Sequence, residues 1–200
     1  MRLIFCLLLA ISLSGCFTAG KRGAEQALAI YDLGPQANAE RQQRKQPMAI
    51  EVRAPLWFDS MGIEYRLAYV DVARLREYAK ARWVGPPAQL IQQKLVQQLG
   101  FVPHGQSRAN CVLRVDITEF SQVFDTPEAS HSLLQGRMQW LDRSRTRIAE
   151  RDINLRSAAP SADARGGVSA LSASTEQLTV TIQQWESEMM AAGQLKACGA

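Results

Sequence analysis

Residues 111–118 read Cys-Val-Leu-Arg-Val-Asp-Ile-Thr. In an extended chain Cys111, Leu113, Val115 and Ile117 share one side, and Arg114, Asp116 and Thr118 the other. That period of two predicts a half-buried strand. The alternation returns downstream, where Leu134, Met138 and Trp140 interleave with Gln135, Arg137 and Gln139. A short connection at Asp142 to Arg145 leads to a further strand near Ile148 to Leu155. The three strands are expected to form an antiparallel meander. A loop of small residues, Ala158 to Gly167, follows. Val168, Leu171, Thr175, Leu178, Ile182, Trp185 and Met189 then recur in alternating three- and four-residue steps. This is an amphipathic helix. Its stripe predicts packing on the sheet; the alternative is a seam against a neighbouring subunit.

Upstream of the meander, Pro86-Pro87 opens a second helix, since proline suits a first turn. Leu90, Ile91, Leu95 and Leu99 form its apolar side, and Gln92, Gln93, Gln97 and Gln98 the opposite one. Gly100 ends it. Before this helix, strands are expected over Leu28–Leu33, stopped by Gly34-Pro35, and over Met48–Ala54, stopped by Pro55. A third runs from Ile63 to Tyr69, where Ile63, Tyr65, Leu67 and Tyr69 alternate with Glu64, Arg66 and Ala68. Arg74 to Lys80 fits either a short strand or a turn of helix. The order is β-β-β(β)-α-β-β-β-α. It predicts an α/β fold: a single mixed or antiparallel sheet with two helices packed on one face.

The first residues carry a different signal. Met1-Arg2 precedes an uncharged run from Leu3 to Leu13. Eleven apolar residues are too few to span a bilayer, which takes about 20, and suit a secretory signal. The run ends Leu13-Ser14-Gly15-Cys16, an apolar residue, two small residues and a cysteine. This is the lipobox pattern. It predicts a signal peptide over residues 1–15, a lipidated Cys16 with a tether to residue 27, and one periplasmic domain over residues 28–200. The bland alternative is an ordinary secretory signal with an incidental cysteine. Phe17 is not the aspartate that retains lipoproteins at the inner membrane, so the expected location is the periplasmic face of the outer membrane. The tether of 11 residues reaches at most about 40 Å, which keeps the domain close to the bilayer.

Of four cysteines, Cys6 leaves with the signal and Cys16 takes lipid. Cys111 and Cys198 remain in an oxidising compartment, where a disulfide is expected; two buried thiols are the alternative. The net charge of +4 is mild. No basic cluster with interleaved aromatics points to nucleic acid. No H-E-x-x-H, C-x-x-C or G-x-S-x-G motif occurs, and no glycine-rich phosphate loop. His104 reads as a loop histidine, and His131 has no second histidine at ligand spacing. Asp116 and Glu119 are expected on opposite faces of their strand. The chain is therefore expected to be no enzyme, with no cofactor and no metal.

A larger pattern joins these pieces. Tyr31-x-Leu33 follows the lipidated cysteine. Ile50-x-Val52, Pro55 and Gly62-Ile63-x-Tyr65-Arg66 come next. Tyr78 and Trp83-x-x-Pro86-Pro87 then lead into the helix with Leu90, Leu95 and Leu99. In order and spacing, over nearly all of the mature chain, this resembles the ABC-type transport auxiliary lipoprotein family. These are the outer-membrane lipoproteins of paraquat-inducible, Mce-type intermembrane transport systems. The segment Arg74–Lys80 is more charged than the family pattern, and residues 126–133 are hard to align. The resemblance implies a fold similar to the N-terminal domain of TolB and a non-enzymatic role in lipid transport. Its implied partners are a Mce-domain protein and an ABC permease and ATPase, with a homo-oligomer as a further expectation. It implies a partner-binding surface drawn from Tyr65, Arg66, Tyr69, Tyr78, Trp83 and Pro86. Read from the residues alone, Tyr65 and Tyr69 fit a core face, and Trp83 fits either core or surface. A structural or assembly-factor lipoprotein of the outer membrane is the alternative function, and an envelope hydrolase a third.

Overall fold

The computed structural model describes residues 27–35, 46–105 and 108–198. The signal segment and Cys16 lie outside them. One mixed eight-stranded sheet carries two helices. Its strands are β1 (Ala29–Tyr31), β2 (Ala49–Arg53), β3 (Gly62–Leu67), β4 (Asp71–Trp83), β5 (Val102–Pro103), β6 (Val112–Phe124), β7 (Ser130–Leu141) and β8 (Arg147–Ala158). The helices are α1 (Pro87–Leu99) and α2 (Ala164–Ala191). The expected α/β class holds.

Strand β6 organises the sheet. One edge pairs antiparallel with β7 along its whole length, and β7 with β8, giving the expected meander. The other edge is shared. β2 runs parallel to residues 112–116 and β3 parallel to residues 122–124. β5 extends the sheet beyond β2, while β4 and then β1 extend it beyond β3. Between the two partners β6 carries a bulge, because Ile117 faces Gly136 while Glu119 faces Gln135. The extra residue, Thr118, resets the alternation. Phe120 therefore returns to the core with Ile117, and Glu119 joins Asp116 on the outer face. The expectation that the two carboxylates point apart is corrected by this bulge. Gly136 is required here, since a Cβ would stand 2.1 Å from the Asp116 carbonyl.

Both helices cover the inner face. Every residue of the expected α2 stripe, from Val168 to Met189, is buried, so the stripe packs on the chain's own sheet and is not free to form an intersubunit seam. α2 begins at Ala164, inside the expected loop, where the Asp163 carboxylate accepts from Gly166 N at 2.8 Å. α1 starts and stops as expected, with Gly100 left-handed at φ 66°. Its glutamine side is only partly solvated. Gln98 is buried and receives a hydrogen bond from Thr179 of α2 at 2.7 Å. Lys94 donates to the Leu33 carbonyl at 2.9 Å and pairs with Glu176 at 2.6 Å. The helices thus meet through a polar seam beside the apolar core.

Arg74–Lys80 is strand throughout, within β4. β1 pairs only with residues 81–83, which leaves the outer edge of residues 71–80 without a strand partner among the described residues. Charged side chains suit such an edge. Cys111 and Cys198 are joined by a disulfide that fastens the C-terminal turn to the start of β6. It closes a loop of 87 residues, and on chain-entropy grounds such a link contributes about 4–5 kcal/mol. Replacing both residues (Cys111→Ala with Cys198→Ala) is expected to lower Tm by about 10 °C or more. Thermal unfolding followed by circular dichroism checks this; an unchanged Tm contradicts it.

Candidate interaction surface

The side chains expected to form one binding surface are divided among five environments. Tyr65 and Tyr78 lie on the inner side of the β3–β4 hairpin, rings 4.6 Å apart, with Tyr65 edge-on to Phe124 at 5.9 Å. Tyr78 Oη donates to Gln122 Oε1 at 2.8 Å, and Gln122 donates onward to Ser130 Oγ at 2.7 Å. Burial holds the Tyr78 phenol well above its ordinary range. Trp83 is fully buried against Phe120 and is a core residue. Pro86 forms the N-terminal boundary of α1. Only Tyr69, at the hairpin tip, projects into solvent.

Arg66 ties that tip to the sheet. On the outer face it meets Glu119 of β6 bidentately, Nε to Oε1 at 3.0 Å and Nη2 to Oε2 at 2.9 Å. Its remaining Nη1 donates to the Val72 and Ala73 carbonyls at 3.1 and 3.2 Å. One planar guanidinium therefore braces β6, β3 and the returning strand β4, a geometry that an ammonium does not supply. Ser121 also hydrogen-bonds Glu119. Beyond the braced region Tyr69, Val70 and Val72 are exposed together.

A second projection was not legible as a site. Between β2 and β3 the chain makes a single 3-10 turn, Leu56–Phe58. Phe58 is driven into the core, with Phe58 N bonded to the Pro55 carbonyl at 2.9 Å. A turn this short cannot bury its other two residues as well. Leu56 is 89% and Trp57 68% exposed. Beside them Val52, Pro55, Phe58 and Ala88 line an open groove of about 340 Å³. The signal in the sequence was three consecutive large apolar residues directly after a strand-stopping proline. Large apolar side chains exposed together mark a contact surface, and tryptophan is among the residues enriched in protein-contact hot spots.

Among the described residues no group of His, Cys, Asp and Glu side chains is arranged to hold a metal. His131 Nδ1 is 2.8 Å from Asp125 at the surface, and His104 contacts Arg145. No described helix is long and apolar enough to cross a membrane.

No family model matches the chain, and no curated protein matches it. Solved structures do share its fold. A Xanthomonas campestris protein of the DUF330 family superposes with a TM-score of 0.67 at 17% identity, covering 84% of this chain and 99% of its own. An uncharacterised protein gives 0.62 at 16% identity, over 79% and 97%. A Neisseria meningitidis lipoprotein aligns at 11% identity over 74% of this chain and 99% of its own, with a TM-score of 0.30, too low for a common fold to be argued. At these identities the first two likenesses are of fold alone.

The outer face of the hairpin has a titration consequence. Glu64 is buried and Oε2 has no hydrogen-bond partner. Burial, then the charges of Glu119 and Glu77, push its carboxyl up from 4.5 to about 7, against the pull of Arg66. The folded chain therefore keeps a proton that the unfolded chain releases, and stability falls as pH rises from about 4.5 to about 7. Glu64→Gln is expected to raise Tm by about 2–4 °C above pH 7 and to leave it unchanged near pH 4.5. Thermal melts across this range check it; an equal shift at both ends contradicts it.

Proposed function

We propose that this chain is a lipid-anchored auxiliary component of an ABC/Mce-type intermembrane lipid transport system. In this reading it docks the transport complex to the periplasmic face of the outer membrane. Acylation of Cys16 supplies the anchor. The observation that carries the docking role is the Leu56–Trp57 turn, two large apolar side chains held in solvent by a buried neighbour. Lipid tails in water cost about 0.8 kcal/mol per CH₂, so transfer between membranes needs a continuous apolar path. A domain of this size with a filled core is suited to holding the end of such a path and not to forming it. The lipobox and the order of elements support an envelope lipoprotein.

The partner expected on the exposed turn is a Mce-domain protein, with a permease and ATPase recovered through it. Purification from the native host in gentle detergent tests this. Wild type is expected to recover that complex. Leu56→Ser with Trp57→Ser is expected to weaken recovery at least tenfold while leaving Tm within about 2 °C, because neither side chain contributes to the core. Recovery of an outer-membrane β-barrel instead, with no Mce-domain protein, favours the assembly-factor function and contradicts this one.

A further inference from the structure

Strand β1 is the first element after the tether, and it lies at an edge of the sheet. Ala29 and Tyr31 pack inward against the core. Leu28 and Ile30 therefore face outward, and they are 45% and 56% exposed. Ile30 sits in register with Arg82 of β4, which faces outward in turn because Ala81 and Trp83 are buried. Val84, 57% exposed, continues the patch where its N–H bonds the Tyr31 carbonyl at 2.7 Å. Ile30 and Val84 border one shallow hollow, whose lining also includes Asp32 and, from α2, Val168 and Ser172. Arg82 is exposed beside Ile30, whereas Lys80 lines a separate hollow with the inward-facing Ala29 and Tyr31 and with Asp163. Apolar side chains beside an exposed arginine on a sheet edge match an anionic bilayer surface.

We propose that this outer flank of β1, formed by Leu28, Ile30 and Val84 with Arg82, lies against anionic phospholipid and sets the orientation of the domain on its membrane. The inference rests on the reading of Cys16 as the lipid anchor for its setting, not for its chemistry. Cys16 precedes Ala27 by 11 residues, at most about 40 Å of chain. Of the whole domain, this flank is the part joined to the lipid by the least chain. Tethering of that kind raises the effective concentration of bilayer at the flank to the millimolar range, where a weak surface affinity becomes occupied. With the flank down, the domain has one face to the lipid and the rest to partners.

The test uses the full mature chain, residues 16–200, with Cys16→Ser to remove the acyl group. A cleavable secretory signal exports it so that the disulfide forms. It is floated with vesicles of phosphatidylethanolamine containing a quarter phosphatidylglycerol, and with vesicles of phosphatidylcholine alone. Flotation is expected with the anionic vesicles and about tenfold less with the neutral ones. Arg82→Glu is expected to cut it about tenfold or more, and Ile30→Asp to abolish it. Val180→Asp, at a similarly exposed apolar position on α2, is expected to leave it unchanged. Near-UV circular dichroism confirms that each variant is folded. Absence of flotation, or equal loss from Val180→Asp, overturns the proposal. So does a dimer in sedimentation that Ile30→Asp dissolves, which assigns the flank to a second copy. Mass spectrometry of Cys16 in the native protein is independent. An unacylated Cys16 with intact flotation removes the anchor and leaves the flank; acylation without flotation does the reverse.

Discussion

The fold depends on how strand β6 shares its second edge. A strand of 13 residues that paired with one neighbour on each side would build a plain ladder. Here β2 occupies the first five residues of that edge and β3 the last three, and the bulge at Thr118 separates them. The chain leaves the sheet between these two strands and must return to it within eight residues. That constraint produces the tight Leu56–Phe58 turn, and with it the exposed leucine and tryptophan. The bulge also turns Glu119 outward, where Arg66 can reach it.

Rigidity is the common consequence. The hairpin is held to β6 by a bidentate ion pair, and two bonds from the same guanidinium tie β3 to the returning strand β4. The 3-10 turn is pinned by Phe58, and the C-terminal turn by the disulfide. A surface presented on a frame of this kind loses little conformational entropy when it binds. The cost appears in Glu64, a carboxyl trapped among other carboxylates, and in the indole N–H groups of Trp83 and Trp140, which are buried without a hydrogen-bond partner. The first lies on the outer face near the hairpin, and the two indoles lie in the helix-covered core.

Sequence periodicity was sufficient wherever one face of an element is buried and the other wet. β6, β7 and α2 were legible for that reason. Arg74–Lys80 was not, because its outer edge is unpaired and most of its residues are exposed on both faces, so no alternation marks it. The swap of faces at Thr118 is a register event between β6 and β7 and leaves no local trace. Arg66 and Glu119 are 53 residues apart, so their pairing belongs to the topology. Trp83 shows the converse, a residue whose setting beside a Pro-Pro turn left core and surface equally open and whose strand register puts it in the core. The site at Leu56 and Trp57 was written in the sequence as an apolar triplet, but only the turn geometry shows which of the three faces inward. Cys16 lies outside the described residues, and its role rests on the lipobox alone.

The claim that the Leu56–Trp57 turn is the docking surface for a transport complex is tested most directly by a photoreactive amino acid placed at position 57 in the native host. Irradiation followed by mass spectrometry identifies whatever lies within a few ångströms. A covalent adduct with a Mce-domain protein is expected from position 57, and none from the solvent face of α2. An adduct with a β-barrel protein, or none at position 57 in cells that assemble the complex, would contradict it.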